Sequence, residues 1–157
     1  MEFGPISSAE VPEVCKLVEK VFMQFEAPEY SAEGIIEFMK YIRPEAVRER
    51  QLGGLHFILR CRADGKIVGV IEVRNLDHVC LLFVDADYQR KGIARRLWQD
   101  ALRKCLDRVP SLTQVSVNSS PYAISVYEKL GFKAVKEEQV VNGIRFTPMV
   151  IDIREKV

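Results

Sequence analysis

Residues 85–94 read Asp-Ala-Asp-Tyr-Gln-Arg-Lys-Gly-Ile-Ala, a polar turn with a single glycine set between the apolar run 81–84 and the start of an amphipathic pattern. A strand, a turn and a helix start in that order make an anion site. The backbone N–H groups of a helix's first turn have no intrahelical acceptor and lie at the positive end of the dipole, so they can take up a pyrophosphate. Gly92 and Ala94 matter by what they lack, because a long or branched side chain there would hold a phosphate away from the amides. Arg90, Lys91 and Arg95 add mobile positive charge at the rim. One glycine and no Gly-Lys-Ser/Thr exclude a nucleotide-triphosphatase loop, and the dinucleotide fingerprint lacks its glycines too. On these residues alone, a solvated basic helix start stands beside the anion site as an alternative reading.

The elements that must position this segment follow from hydrophobic period. Residues 3–6 form a short strand candidate, and Val14, Leu17, Val18, Val21, Phe22 and Phe25 recur at helical spacing behind an N-cap at Ser7 or Ser8, with Pro12 in the first turn. Ser31 caps a second helix that carries Ile35, Phe38, Met39 and Ile42 and stops at Pro44. Residues 55–60, 67–73 and 79–84 are β-type runs, the first two joined at Asp64-Gly65, and predict three consecutive antiparallel strands. An amphipathic helix over 93–105 ends near Pro110, and residues 113–117 return to strand. Ser120-Pro121 reads as an N-cap with proline at the first helical position, and Gly131 ends that helix. Strands over 132–141 and 144–153 flank an Asn142-Gly143 hairpin turn. The order β-α-α-β-β-β-α-β-α-β-β predicts an α/β fold with a mixed sheet of six to seven strands and about four helices.

Composition narrows the function classes. The chain has 157 residues, 48% of them hydrophobic, which suits one domain over 1–157 with one sizeable core. Charged residues make up 29% and cancel to +1, so no nucleic-acid or membrane-surface partner is indicated, and a homodimer is left open. Cys15, Cys61, Cys80 and Cys105 lie far apart without a C-x-x-C pair and read as buried reduced thiols, with no metal expected. No apolar stretch approaches the ~20 residues of a membrane helix, and the expected location is cytoplasmic.

The motif residues Gln89-Arg90-Lys91-Gly92-Ile93-Ala94 resemble the Gln/Arg-x-x-Gly-x-Gly/Ala pyrophosphate motif of the GNAT superfamily of acetyltransferases, and follow a strand ending Phe-Val-Asp as that family's does. Residues 117–132, which close on Tyr-Glu-Lys-Leu-Gly-Phe, resemble the family's later strand-helix motif. Ala94 stands where many members carry a second glycine. The resemblance implies a GNAT fold and an N-acetyltransferase using acetyl-coenzyme A as co-substrate, with an amine acceptor on a small molecule or a protein. A non-enzymatic acyl-coenzyme A binding module of the same fold is the alternative.

What the resemblance assigns is specific. Two splayed parallel strands should receive the pantetheine arm along Leu82, Phe83 and Val84. Gln89, Arg90, Lys91, Gly92, Ile93, Ala94 and Arg95 should hold the pyrophosphate, and Asn118 and Ser120 are polar contacts near the thioester. Tyr127 falls where many relatives place a tyrosine near the coenzyme sulfur. His78 lies where some place a glutamate that takes the amine's proton. Strand parity puts His78 on the same side as Cys80, Leu82 and Val84, with Glu72 as the fallback base. The acceptor pocket is expected around residues 25–33, whose three carboxylates and two aromatics suit either a cationic amine or a solvated loop.

Overall fold

The computed structural model describes residues 1–154. Its elements are β1 (Glu2–Pro5), α1 (Val11–Val21), α2 (Ala32–Tyr41), α3 (Pro44–Gln51), β2 (Phe57–Ala63), β3 (Lys66–Arg74), β4 (His78–Val84), α4 (Ile93–Arg108), β5 (Gln114–Ser119), α5 (Ile124–Leu130), β6 (Lys133–Ala134), β7 (Gln139–Val141) and β8 (Ile144–Asp152). The sheet runs β1-β2-β3-β4-β5-β8-β6, with β7 also paired to β8. Neighbours in it are antiparallel except β4 and β5, which are parallel.

Apolar side chains leave both faces of the sheet. On one face Ile58, Ile67, Val70, Leu81 and Phe83 pack under α1 and the α2–α3 segment. On the other, Val68, Ile71, Val73 and Val84 meet Ile93, Leu97 and Trp98 of α4. At about 25 cal/mol per Å² of apolar surface removed from water, these two layers supply the main driving force for the fold. Among the described residues, no helix is long and apolar enough to cross a membrane.

Local signals worked where their chemistry is short-range. Ser31 Oγ accepts from the Gly34 N–H at 3.2 Å, and Pro12 lies in the first turn of α1. Asn142 and Gly143, at φ 53° and 80°, join Val141 to Ile144 in a two-residue turn. Four expectations change. Pro44 does not simply stop the second helix: α2 ends at Tyr41 and Pro44 opens α3, where its missing N–H costs nothing, so the described residues form five α-helices where about four were expected. The first strand is offset by one residue. The strand expected over 132–141 is two short pieces, because Lys136-Glu137-Glu138 has no apolar alternation to bury. The last helix begins at Ile124, and Ser120 Oγ instead accepts from the Ala123 N–H at 3.2 Å in the turn before it.

Candidate active site

The sheet opens at its centre. Parallel pairing of β4 with β5 is confined to His78 with Ser116 and Val79 with Val117, and beyond it the strands diverge. The register of β4 against β3 slips at the same level: Val79 pairs with Val73 and Leu81 with Glu72, leaving Cys80 as the extra residue of a β-bulge. A bulge bends its strand and re-aims side chains. Cys80 and Leu81 both pack toward α1 and α2, while Leu82 and Val84 pack toward α4. The parity expectation for His78 therefore holds only in part: it shares a cavity with Cys80 and with Leu82, which lines both cavities, while Val84 lies on the other side.

At the open end of the cleft lies the turn between β4 and α4. Gly92 caps α4 at φ 82°, and Arg90 also takes a left-handed φ of 63°. Among the described residues, no backbone N–H from Arg90 to Arg95 has a hydrogen-bond acceptor. A Cβ built on Gly92 would meet nothing within 4 Å, so the amides face open space. The turn is held from behind. Asp85 accepts from the Asp87 N–H at 2.9 Å and from Lys20 Nζ of α1 at 2.9 Å, and the Gln89 amide donates to the Val84 carbonyl at 3.1 Å. Burial pushes the Asp85 carboxyl up, but Lys20 and the Asp87 amide prevail and it lies below the usual range.

Two cavities meet across the cleft. One, of about 450 Å³, runs along Leu82, Phe83 and Val84 to Gln89, Arg90 and Arg95. The other, of about 340 Å³, lies under the β7–β8 hairpin against α2 and β4. They share Glu26, Leu82, Phe83, Ala123 and Tyr127. Tyr127 is buried on α5, edge-on to Phe132, and burial, with Glu26 and Cys80 nearby, pushes its phenol far above the ordinary value. It stays a protonated hydroxyl at any physiological pH. Glu26 ends a π-helical turn, Phe22–Glu26, that closes α1. Such turns redirect a side chain that a regular helix would point elsewhere. Phe25 of that turn stacks on Tyr122 at 4.9 Å. Burial raises the Glu26 carboxyl to about 7, the nearby Ser120 hydroxyl opposes this, and the charge of Glu29 adds to it.

The acetyltransferase (GNAT) domain model matches residues 26–153. The chain belongs to the GNAT acetyltransferase family. No curated protein sequence matches it. Among solved structures it is similar to a GCN5-related N-acetyltransferase from Rhodopseudomonas palustris, at 23% identity and TM-score 0.80 over 96% of this chain and 94% of that one. It is likewise similar to the PaiA N-acetyltransferase of Thermoplasma acidophilum in complex with coenzyme A, at 19% identity and TM-score 0.78 over 96% and 98%. The ribosomal-protein-S18-alanine N-acetyltransferase of Escherichia coli follows at 18% and 0.66 over 97% and 93%. Identities this low speak to the fold.

Against the residues expected from the GNAT motifs, the loop-side cavity gathers Leu82, Phe83, Val84, Gln89, Arg90, Gly92, Ile93, Ala94 and Arg95. Lys91 lines neither cavity; its Nζ lies 5.5 Å from the Tyr88 ring. Asn118 and Ser120 line the hairpin-side cavity instead. His78 reaches that cavity too, with Nδ1 2.7 Å from Ser116 Oγ. Burial first, then Arg74, lowers its pKa against the pull of Asp77, so the ring is neutral at pH 7. Glu72 lines neither cavity: it is fully buried and bound to Arg50 Nε and Nη2 at 3.0 Å each and to Gln51 Nε2 at 3.3 Å. Glu26 was legible in the sequence only as one of three acids in a segment equally suited to solvent. Its neighbours Phe25 and Ala27 hint at burial, but the π turn that aims it leaves no sequence signature.

Proposed function

We propose that the chain is an N-acetyltransferase that binds acetyl-coenzyme A along β4 and in the turn before α4, and transfers the acetyl group directly to a primary amine entering from the hairpin side. The observation that carries this is the cleft between β4 and β5, which leads from the unpaired Arg90 to Arg95 amides to Tyr127. The fit is physical. A pyrophosphate needs amide donors, positive charge and no intruding Cβ, and the turn offers all three. When bound, acetyl-coenzyme A supplies an activated acyl carbon and a thiolate leaving group.

The protein's own groups do the rest. Gly92, Ala94 and the turn amides anchor the phosphates, with Arg90 and Arg95 neutralising them, while Leu82, Phe83 and Val84 line the path of the extended arm. Tyr127, held protonated, hydrogen-bonds the departing sulfur. Two groups on the acceptor side can take the amine's proton, His78 and Glu26. Direct transfer requires little else beyond positioning and exclusion of water.

Replacing Gly92 with Asp tests the anchor. The change puts a carboxylate against the phosphates and strains a left-handed φ by about 1 kcal/mol, while the open space around Gly92 lets the fold persist. Calorimetric titration with coenzyme A should show at least a ten-fold loss of affinity; unchanged affinity in a folded variant would move the site elsewhere. Thiol release from acetyl-coenzyme A across a panel of amines separates the enzyme from a non-enzymatic binding module, which would bind and release none.

A further inference from the structure

Of the buried acids among the described residues, two have cations. Glu72 is held by Arg50, and Asp85 by Lys20. Glu26 is 8% exposed and no Lys or Arg among the described residues pairs with it; the group that favours its charged form is the uncharged Ser120 hydroxyl. A carboxylate taken out of water without a cation is unfavourable by several kcal/mol, so it is either protonated or waiting for one. Its place is specific as well, on the shared wall of both cavities beside Tyr127. His78 reaches only the hairpin-side cavity, at the closed end of the cleft where β4 and β5 are still paired. That cavity is faced by Tyr30, Phe38, Tyr41, Phe83 and Phe146, with Glu37 and Arg74 as its other charged side chains, so its aromatic faces suit a compact body with a flat apolar part.

We infer that Glu26 is the amine-holding group of the acceptor site: it pairs with the ammonium of a compact primary amine carrying an aromatic or apolar body, and takes its proton. This rests on the acetyltransferase reading above. The ammonium gives one proton to the Glu26 carboxylate, and the freed nitrogen lone pair forms the C–N bond to the acyl carbon. The C–S bond breaks with its electron pair going to sulfur. The second nitrogen proton ends on that sulfur by way of the Tyr127 hydroxyl, and Glu26 returns its proton to solvent. Atoms and charge then balance, with one amide, one thiol and one released proton.

The titratable and charged groups facing Glu26 are Glu29 and Tyr30 from the turn after it and Tyr127 from α5, with Glu37 and Tyr41 of α2, Arg74 of β3 and His78 and Cys80 of β4 around the hairpin-side cavity, and Tyr88, Arg90, Arg95, Tyr122 and Lys129 around the loop-side cavity that Glu26 also lines. Burial holds the carboxyl near 7, a value poised for exchange with an amine at neutrality. The test uses phenethylamine as the probe and full-length protein loaded with coenzyme A, followed by calorimetry at pH 8. Wild type should bind the amine, and 2-phenylethanol, which has the same body without the charge, should bind at least ten-fold more weakly. Glu26→Gln should lose at least ten-fold in amine affinity while keeping its affinity for coenzyme A. In carboxyl-carbon NMR of the wild type, one carboxyl should titrate near pH 7, be missing from Glu26→Gln, and move to lower pH with phenethylamine. Equal binding of amine and alcohol, no amine binding at all, or loss through His78→Ala in place of Glu26→Gln would overturn the assignment. Failure of wild type to bind coenzyme A would instead overturn the reading beneath it, before any amine is added.

Discussion

The two cavities that meet at Tyr127 are built from different kinds of chain. The loop-side cavity draws mostly on two stretches close together in sequence, 82–95 and 122–130, with Val21 and Glu26 added from α1 and the turn after it. The hairpin-side cavity collects single residues from the end of α1, from α2, from β3 to β5 and from the β7–β8 hairpin. The first works through backbone amides, which any sequence supplies once a glycine permits the turn. The second works through side chains whose meeting depends on packing. Gly34 and Gly143 show how close that packing is: a Cβ on either would run into the other's backbone, so the hairpin seats directly on the start of α2. On the function proposed above, the coenzyme uses the first construction and the acceptor amine the second.

The buried carboxylates sharpen this contrast. Glu72 is a structural acid, and Glu72→Ala would leave Arg50 buried beside β3 with no counter-charge. A loss of about 3–5 kcal/mol in urea unfolding is expected, because breaking a buried pair exposes the full desolvation cost of the remaining ion. A loss below about 1 kcal/mol would make the pair no stronger than a surface one.

Glu26 should behave oppositely. Its folded carboxyl titrates near 7 against 4.5 unperturbed, so its contribution to stability is complete below pH 4.5 and is lost as pH rises toward 7. The shift corresponds to about 3 kcal/mol at about 1.4 kcal/mol per pH unit. Wild type minus Glu26→Gln, measured by urea unfolding from pH 5 to 8, should therefore slope downward by up to that amount, with the variant the more stable at pH 8. A flat difference would mean the carboxylate is well solvated or paired.

Tyr127 tests the junction itself. Tyr127→Phe keeps the ring contacts with Phe132 and removes only the hydroxyl, so coenzyme affinity and unfolding midpoint should hold while kcat falls ten- to about 10²-fold. A thiolate leaves readily, so this effect is expected to be the smallest of the three. An unchanged kcat with chemistry rate-limiting would return Tyr127 to a packing role.

How much was legible in the sequence divides along the same line. The strand-turn-helix around Gly92, the hairpin at Asn142-Gly143, the cap at Ser31 and the end of α5 at Gly131 were readable because each depends on contacts within a few residues. His78 shows where such reading stops. Its side of the sheet was inferred from an unbroken two-residue period, and the bulge at Cys80 breaks that period, a consequence of how β4 meets β3 and β5. Pro44 erred similarly: proline ends a helix and begins one by the same missing N–H, and only the fold decides which.

The amino-acid sequence alone therefore determined most of the element order, the strand-turn-helix around Gly92 and the family, through periodicity, small residues at the required positions and two motifs in the right order. Tertiary structure decided the rest. It opened β4 from β5 beyond Val79, turned Glu26 inward without a cation, bound Glu72 to Arg50, and set His78 apart from Val84. Those outcomes depend on which distant side chains share a low-dielectric interior, and burial and ion pairing are properties of that shared space rather than of any local stretch of chain.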